Sequence, residues 1–159
     1  MKPLAPRPIS EADDAAGFDC GNDDLNAWLS HRALRSEQRG DARTYVSIDA
    51  DSGQIAGFYA ISAWSMDRRA VSGFLARNAP QAVSVILLGR LVTSLDARGI
   101  GLGADLLTHA IRQANVATSA LGARALVTEA KDADAASFYA HMGMRPIAGQ
   151  PDTFAMPLH

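Results

Sequence analysis

The feature that most restricts the fold is a long apolar run leading into a glycine-rich turn. Val83 to Thr93 is nearly uninterrupted in apolar and β-branched residues. Such a run reads as a central strand buried on both faces. It is followed by Arg98-Gly99-Ile100-Gly101-Leu102-Gly103 and then by a helical pattern from about Leu102 to Val116. Strand, glycine turn and helix in that order make an anion site. The glycines let the backbone turn tightly and approach a ligand, and the unpaired N–H groups of the helix start point at negative charge. Arg98 can add charge of its own. A P-loop would end in Gly-Lys-Ser/Thr, whereas this turn continues Gly103-Ala104-Asp105. A dinucleotide-binding turn usually follows the first strand, whereas this one lies past the middle of the chain.

The remaining segments supply a sheet for that strand. Asn22 is a good N-cap for a first helix, with Asp23 and Asp24 where the helix dipole favours acid. Leu25, Trp28 and Leu29 share one face of it. Arg43 to Ile48 and Gln54 to Ser62 read as two strands joined by the turn Asp49 to Gly53, an antiparallel hairpin. Residues 65–80 carry no clear period. Ala125 to Thr128 is another buried strand, Asp132 can cap a helix to about Met142, and Gly143 ends it. Met144 to Pro157 forms a last strand or hairpin. The expected architecture is α/β (α+β): one domain over residues 1–159, with a mixed central sheet and helices on both faces.

Composition narrows the classes. The chain has 159 residues, 48% hydrophobic and 20% charged, with a net charge of −2. These values suit a globular protein and exclude a compositionally disordered one. No apolar stretch reaches the roughly 20 residues that span a bilayer, and Met1 to Pro6 lacks the apolar core of a leader. A cytoplasmic protein with no membrane partner is expected. A reducing compartment suits the lone Cys20, and no histidine spacing suggests a metal site. Thirteen of the fifteen basic residues are arginine, the side chain best suited to bidentate phosphate contacts.

Two motifs carry a resemblance. Arg98-x-x-Gly101-x-Gly103 resembles the Arg/Gln-x-x-Gly-x-Gly/Ala loop of the GNAT acetyltransferases. Ala135-Ala136-Ser137-Phe138-Tyr139-Ala140-His141-Met142-Gly143-Met144 is similar to their A-x-x-F-Y-x-x-x-G-F stretch, with Met144 in place of the usual Phe. Phe18-x-Cys20-Gly21 through Leu25, Trp28 and Leu29 further resembles the opening of one subgroup, the GNAT toxins of type II toxin–antitoxin systems. Arg43 to Val46, Gly57 to Ser62 and Leu87 to Val92 are similar to its later segments.

The resemblance implies a GNAT fold using acetyl-CoA and no metal. It also implies a substrate, the α-amine of aminoacyl-tRNA, whose acetylation stops translation. A ribbon-helix-helix antitoxin is the implied partner, and a homodimer the expected assembly. It places the CoA pyrophosphate on Arg98, Gly99, Ile100, Gly101, Leu102 and Gly103, and the pantetheine arm along the backbone of Leu91 and Val92. Asp132 is grouped with these cofactor residues, beside its reading as a helix cap.

Tyr139 matches the family's catalytic tyrosine. Acetyl transfer to an amine needs a neutral amine, a polarised carbonyl and a proton for the departing thiolate. A phenol of pKa about 10 can protonate a thiolate of pKa about 8.5. No general base stands out; Glu129 and Asp132 are candidates by position only. An α-amine of pKa about 8 needs little help near neutrality. A lysine side chain costs roughly 4 kcal/mol to deprotonate there, so the missing base leans toward an α-amine.

Arg32, Arg35 and Arg39 fall on one narrow face of the first helix, in line with Leu25 and Trp28. Either the helix breaks near Ser30, or its arginine end leaves the core for a polyanion. With Arg43, Arg77 and Arg90 they could form a phosphate-binding strip. A solvated face balanced by Glu37 and Asp41 is the other reading. Two further functions stay open: an ordinary GNAT enzyme acting on a small amine or a protein N-terminus, and a non-catalytic CoA-binding partner of a DNA-binding antitoxin.

Overall fold

The computed structural model describes residues 1–159. Its elements are β1 (Arg7–Pro8), α1 (Asp23–His31), α2 (Ala33–Arg39), β2 (Arg43–Ile48), β3 (Ile55–Asp67), β4 (Ala82–Thr93), α3 (Leu102–Ala120), β5 (Ala125–Glu129), α4 (Ala133–His141), β6 (Arg145–Ile147) and β7 (Gln150–Pro157). Single 3₁₀ turns occupy Arg68–Ala70, Gly73–Leu75 and Leu95–Ala97. The seven strands form one mixed sheet in the order β1-β2-β3-β4-β5-β7-β6. β4 and β5 run parallel, with Ile86 opposite Leu126, and β5 and β7 antiparallel. Both outermost strands contain a proline, Pro8 in β1 and Pro146 in β6.

The local signals act as their chemistry requires. The Asn22 side chain accepts from the Leu25 N–H at 3.1 Å and starts α1. Of the two readings of the first helix, a break near Ser30 or an arginine end that leaves the core, the structure shows a break, placed at Arg32 between α1 and α2. The β2–β3 hairpin pairs Arg43 with Ile61 and Val46 with Phe58. Three expectations need correction. β3 continues through Asp67, and α3 runs on to Ala120. β4 is not buried on both faces throughout, because Ser84 and Gly89 are exposed. The two-residue β1, paired with Tyr45 and Val46, is too short to leave a sequence signal.

The chain divides into two compact units, Met1–Ser62 with Arg90–Ala110, and Ala63–Gly89 with Ile111–His159. The first is built around Phe58, which meets Phe18 edge-on at 5.4 Å and stacks on Trp28 at 6.0 Å. Leu29, Val46, Ile55 and Val92 close the cluster. Gly57 fixes how near α3 can come: a Cβ there would lie 2.9 Å from the Val92 carbonyl oxygen and 3.0 Å from Leu106. The second unit packs Leu75, Val83, Val85, Val127, Ile147 and Ala155 together. In it the Arg124 guanidinium donates to the carbonyls of Phe74, Arg77 and Asn78, holding the irregular segment after Gly73.

Candidate functional site

In the first unit, β4 ends at Thr93, a 3₁₀ turn covers Leu95–Ala97, and the glycine loop leads into α3. Gly99 and Gly101 have φ of +76° and +83°, backbone that a side chain would strain. A Cβ at either would meet nothing within 4 Å, so glycine is needed here for conformation and not for room. The loop surface stands open, with Ile100 48% exposed. The Asp105 N–H reaches the Gly101 carbonyl at 3.2 Å, the first turn of α3. The N–H groups at a helix start have no partner within the helix and carry partial positive charge. Leu102, Leu106, Leu107 and Ala110 are buried, which fixes the helix beneath the loop.

The loop is anchored to the segment before α1. Leu95 N–H donates to the Asp19 carbonyl at 2.9 Å, and Arg98 Nη2 donates to the Cys20 carbonyl at 2.8 Å. Asp19 Oδ1 accepts from the Gly21 N–H and from Asn26 Nδ2, while Asn26 Oδ1 accepts from the Cys20 N–H. These bonds from Gly21 and Asn26 hold the Asp19 carboxyl below its ordinary range, and the Arg98 charge adds to the effect. Arg98 therefore spends one donor on tying loop to loop. Asp19, Cys20 and Asn26 are not among the expected site residues; of the three, only Cys20 stands at a fixed position of the Phe-x-Cys-Gly motif.

Leu91 and Val92 lie near the end of β4, Val92 buried and Leu91 half-buried. A buried aromatic group in the same unit has no sequence signal at all: Tyr59 Oη lies 2.6 Å from His109 Nδ1, and the Tyr45 ring stacks on Tyr59 at 5.0 Å. Burial pushes the Tyr59 phenol far up, so the phenol holds its proton.

In the second unit, Asp132 Oδ1 accepts from the Ala135 N–H at 2.8 Å and starts α4. Tyr139 follows two turns later, 7% exposed, with its ring against Phe138 and Phe154. Burial raises its phenol above the ordinary value, and a hydrogen bond with Thr128 opposes part of that rise. Thr128 in turn donates to the Leu88 carbonyl at 2.8 Å. Tyr139 is thus protonated near neutrality. Glu129 is exposed at the end of β5.

The six arginines expected on a strip have different surroundings. Arg32, Arg35 and Arg39 are exposed on and beside α2. Arg43 is paired with Glu37 at 2.6 Å. Arg90 lies over the Trp28 ring, 4.0 Å from its centroid. Arg77 belongs to the second unit. No three His, Cys, Asp or Glu side chains are grouped to hold a metal ion, and no helix is long and apolar enough to cross a membrane.

The chain is 38% identical over 137 residues to a tRNA-acetylating toxin of Mycobacterium tuberculosis, covering 86% of this chain and 81% of the relative. The structure of AtaT complexed with acetyl-methionyl-tRNAfMet superposes with a TM-score of 0.86 at 25% identity, over 96% of this chain and 93% of that one. A tyrosine-to-phenylalanine mutant of AtaT, bound to the C-terminus of the antitoxin AtaR and to acetyl-CoA, matches with a TM-score of 0.78 at 26% identity, over 96% and 91% of the two chains. The profile of the acetyltransferase (GNAT) family matches residues 11–144, and the chain belongs to that family.

Proposed function

We propose that this protein is a toxin that transfers acetyl from acetyl-CoA to the α-amine of aminoacyl-tRNA and so blocks translation. The observation that carries the reading is the open loop at the start of α3, with Gly99 and Gly101 in left-handed backbone, in a chain 38% identical to a tRNA-acetylating toxin. The loop has the chemistry of a diphosphate site: unpaired helix N–H groups, no side chain over the glycines, and a firm anchor to the segment before α1. When bound, acetyl-CoA supplies the acetyl thioester.

The chain's own residues divide the work. Backbone N–H groups from Gly99 to Gly103 hold the diphosphate, and Arg98 positions that loop. The backbone of Leu91 and Val92 would hold the pantetheine arm and would polarise the thioester carbonyl. Asp132 keeps the start of α4 in place, and Tyr139 supplies the proton at its Oη. The AtaT structure that holds acetyl-CoA is of a tyrosine-to-phenylalanine mutant, which supports a functional tyrosine in this fold. β3, β4 and α3 each run through both compact units, which supports one domain over 1–159. Action in the cytoplasm, a homodimer and a ribbon-helix-helix antitoxin complete the reading. The complex of AtaT with the AtaR C-terminus supports an antitoxin partner.

The test is transfer of radiolabelled acetyl from acetyl-CoA to charged tRNA, beside the same tRNA deacylated. Label on charged tRNA alone is expected. Label on neither, with acetyl-CoA bound, would point instead to a small amine or a protein N-terminus.

A further inference from the structure

Within the first unit, an open cleft of about 460 Å³ is lined by Asp24, Ala27, Trp28, His31, Arg32 and Arg90. Its one large hydrophobic residue is Trp28. The buried Trp28 ring stacks on Phe58, and the Arg90 guanidinium carbon lies over the Trp28 ring, 4.0 Å from its centroid. A cation over an aromatic ring is attracted by the ring's negative face, so Trp28 holds the Arg90 charge at the cleft.

Arg32 sits at the break between α1 and α2, at the same cleft. The chain's other ion pairs join Arg7 to Asp13, Arg43 to Glu37, Arg69 to Asp67 and the N-terminus to Asp51. Neither Arg32 nor Arg90 has such a partner, although Asp24 lines the same cleft. Burial pushes the Arg90 guanidinium below its ordinary value, and the nearby Arg32 charge lowers it further. Two like charges held at one cleft, one of them partly desolvated, favour an anion between them.

We infer that Arg32 and Arg90, at the cleft with Trp28, form one phosphate-binding subsite for the RNA substrate. This rests on the tRNA reading above. Two guanidiniums present forked donors that match a phosphate, either the 5′-terminal monoester of a tRNA or a backbone diester. An acidic peptide would bring carboxylates to the same donors. Arg90 held over Trp28, beside a second arginine without an ion-pair partner, in a chain 38% identical to a tRNA-acetylating toxin, favours phosphate.

The test is binding of bulk deacylated tRNA over a salt series, for the intact protein, Arg32→Gln and Arg90→Gln. Melting temperature serves as the control for folding, and Arg32, being exposed, is the safer variant. Each variant should bind about 5- to 50-fold more weakly, and the slope of log K against log salt should fall by about 1 per phosphate contact removed. Removing the tRNA 5′-phosphate distinguishes the sources. Weakening of the intact protein but not of Arg32→Gln assigns the terminal monoester, and no effect assigns a backbone phosphate.

Variants with unchanged affinity and slope overturn the subsite while leaving the tRNA reading intact. Variants that keep tRNA but lose an Asp/Glu-rich peptide give the cleft to a peptide and also overturn it. Failure of the intact protein to bind tRNA overturns the tRNA reading, and the subsite with it.

Discussion

Arg98 Nη2 donates to the carbonyl oxygen of Cys20 at 2.8 Å, linking residues 78 positions apart. The bond joins the glycine loop before α3 to the segment before α1, beside the backbone bond from Leu95 to Asp19. A charged donor on a backbone carbonyl contributes about 1.5–3 kcal/mol. Arg98→Gln should therefore weaken acetyl-CoA binding about tenfold and lower stability by about 1–2 kcal/mol. Calorimetric titration with acetyl-CoA and urea unfolding measure the two effects. Weaker binding at unchanged stability would mean that Arg98 contacts the cofactor directly instead of positioning the loop.

Tyr139→Phe keeps the ring against Phe138 and Phe154 and removes only the hydroxyl. A fall in kcat of about 100-fold or more is expected, with acetyl-CoA affinity within about twofold of the parent. The phenol is raised by burial, so its proton is held more tightly in the fold than in the unfolded chain. Its contribution to stability is full below pH about 10 and is lost as pH rises through the higher folded value. The rate should show no alkaline loss from this group below pH about 10. An earlier loss in the parent that disappears in the variant would contradict the assignment.

Gly57→Ala tests the approach of α3 to β3. The new methyl would meet the Val92 carbonyl at 2.9 Å and two leucine side chains at 3.0 and 3.1 Å. The carbonyl belongs to a sheet strand and yields little, so destabilisation of about 1–3 kcal/mol is expected. Thermal melting would show a drop of several degrees. No change would mean that the helix shifts at little cost.

Asp132→Ala removes the side-chain acceptor for the Ala135 N–H. The expected loss is about 1 kcal/mol, with Asp132→Asn restoring most of it. If Asn fails to rescue activity while stability recovers, the carboxylate has a chemical role beyond the cap.

The sequence was most legible where a local group decides the local backbone. Asn22 and Asp132 announce two helices because each offers an oxygen to an orphan N–H three residues on. The bounds of β2 match its sequence pattern for a similar reason: Arg43 to Ile48 holds the β-formers Thr44, Tyr45, Val46 and Ile48 and ends in a polar turn. Element ends without punctuation were not legible. β3 runs past Ser62 because Ala63 to Asp67 stay paired in the sheet although mostly exposed, and α3 runs to Ala120 because no breaker precedes Gly122. The site was legible in part. The glycine loop and Tyr139 stand in recognisable patterns, whereas the Arg98–Cys20 bond and the placing of Arg90 over Trp28 join distant segments whose pairing only the fold sets.

The prolines in the two outermost strands have a consequence for crowding. Pro8 in β1 and Pro146 in β6 each remove an N–H from a strand that could otherwise template another. β1 is also only two residues long, and Pro3 and Pro6 precede it. Neither margin of the sheet offers a continuous row of donors, so runaway edge-to-edge polymerisation and fibril growth are suppressed at both ends. Lengthening of the sheet beyond β1 or β6 is disfavoured by the missing donors.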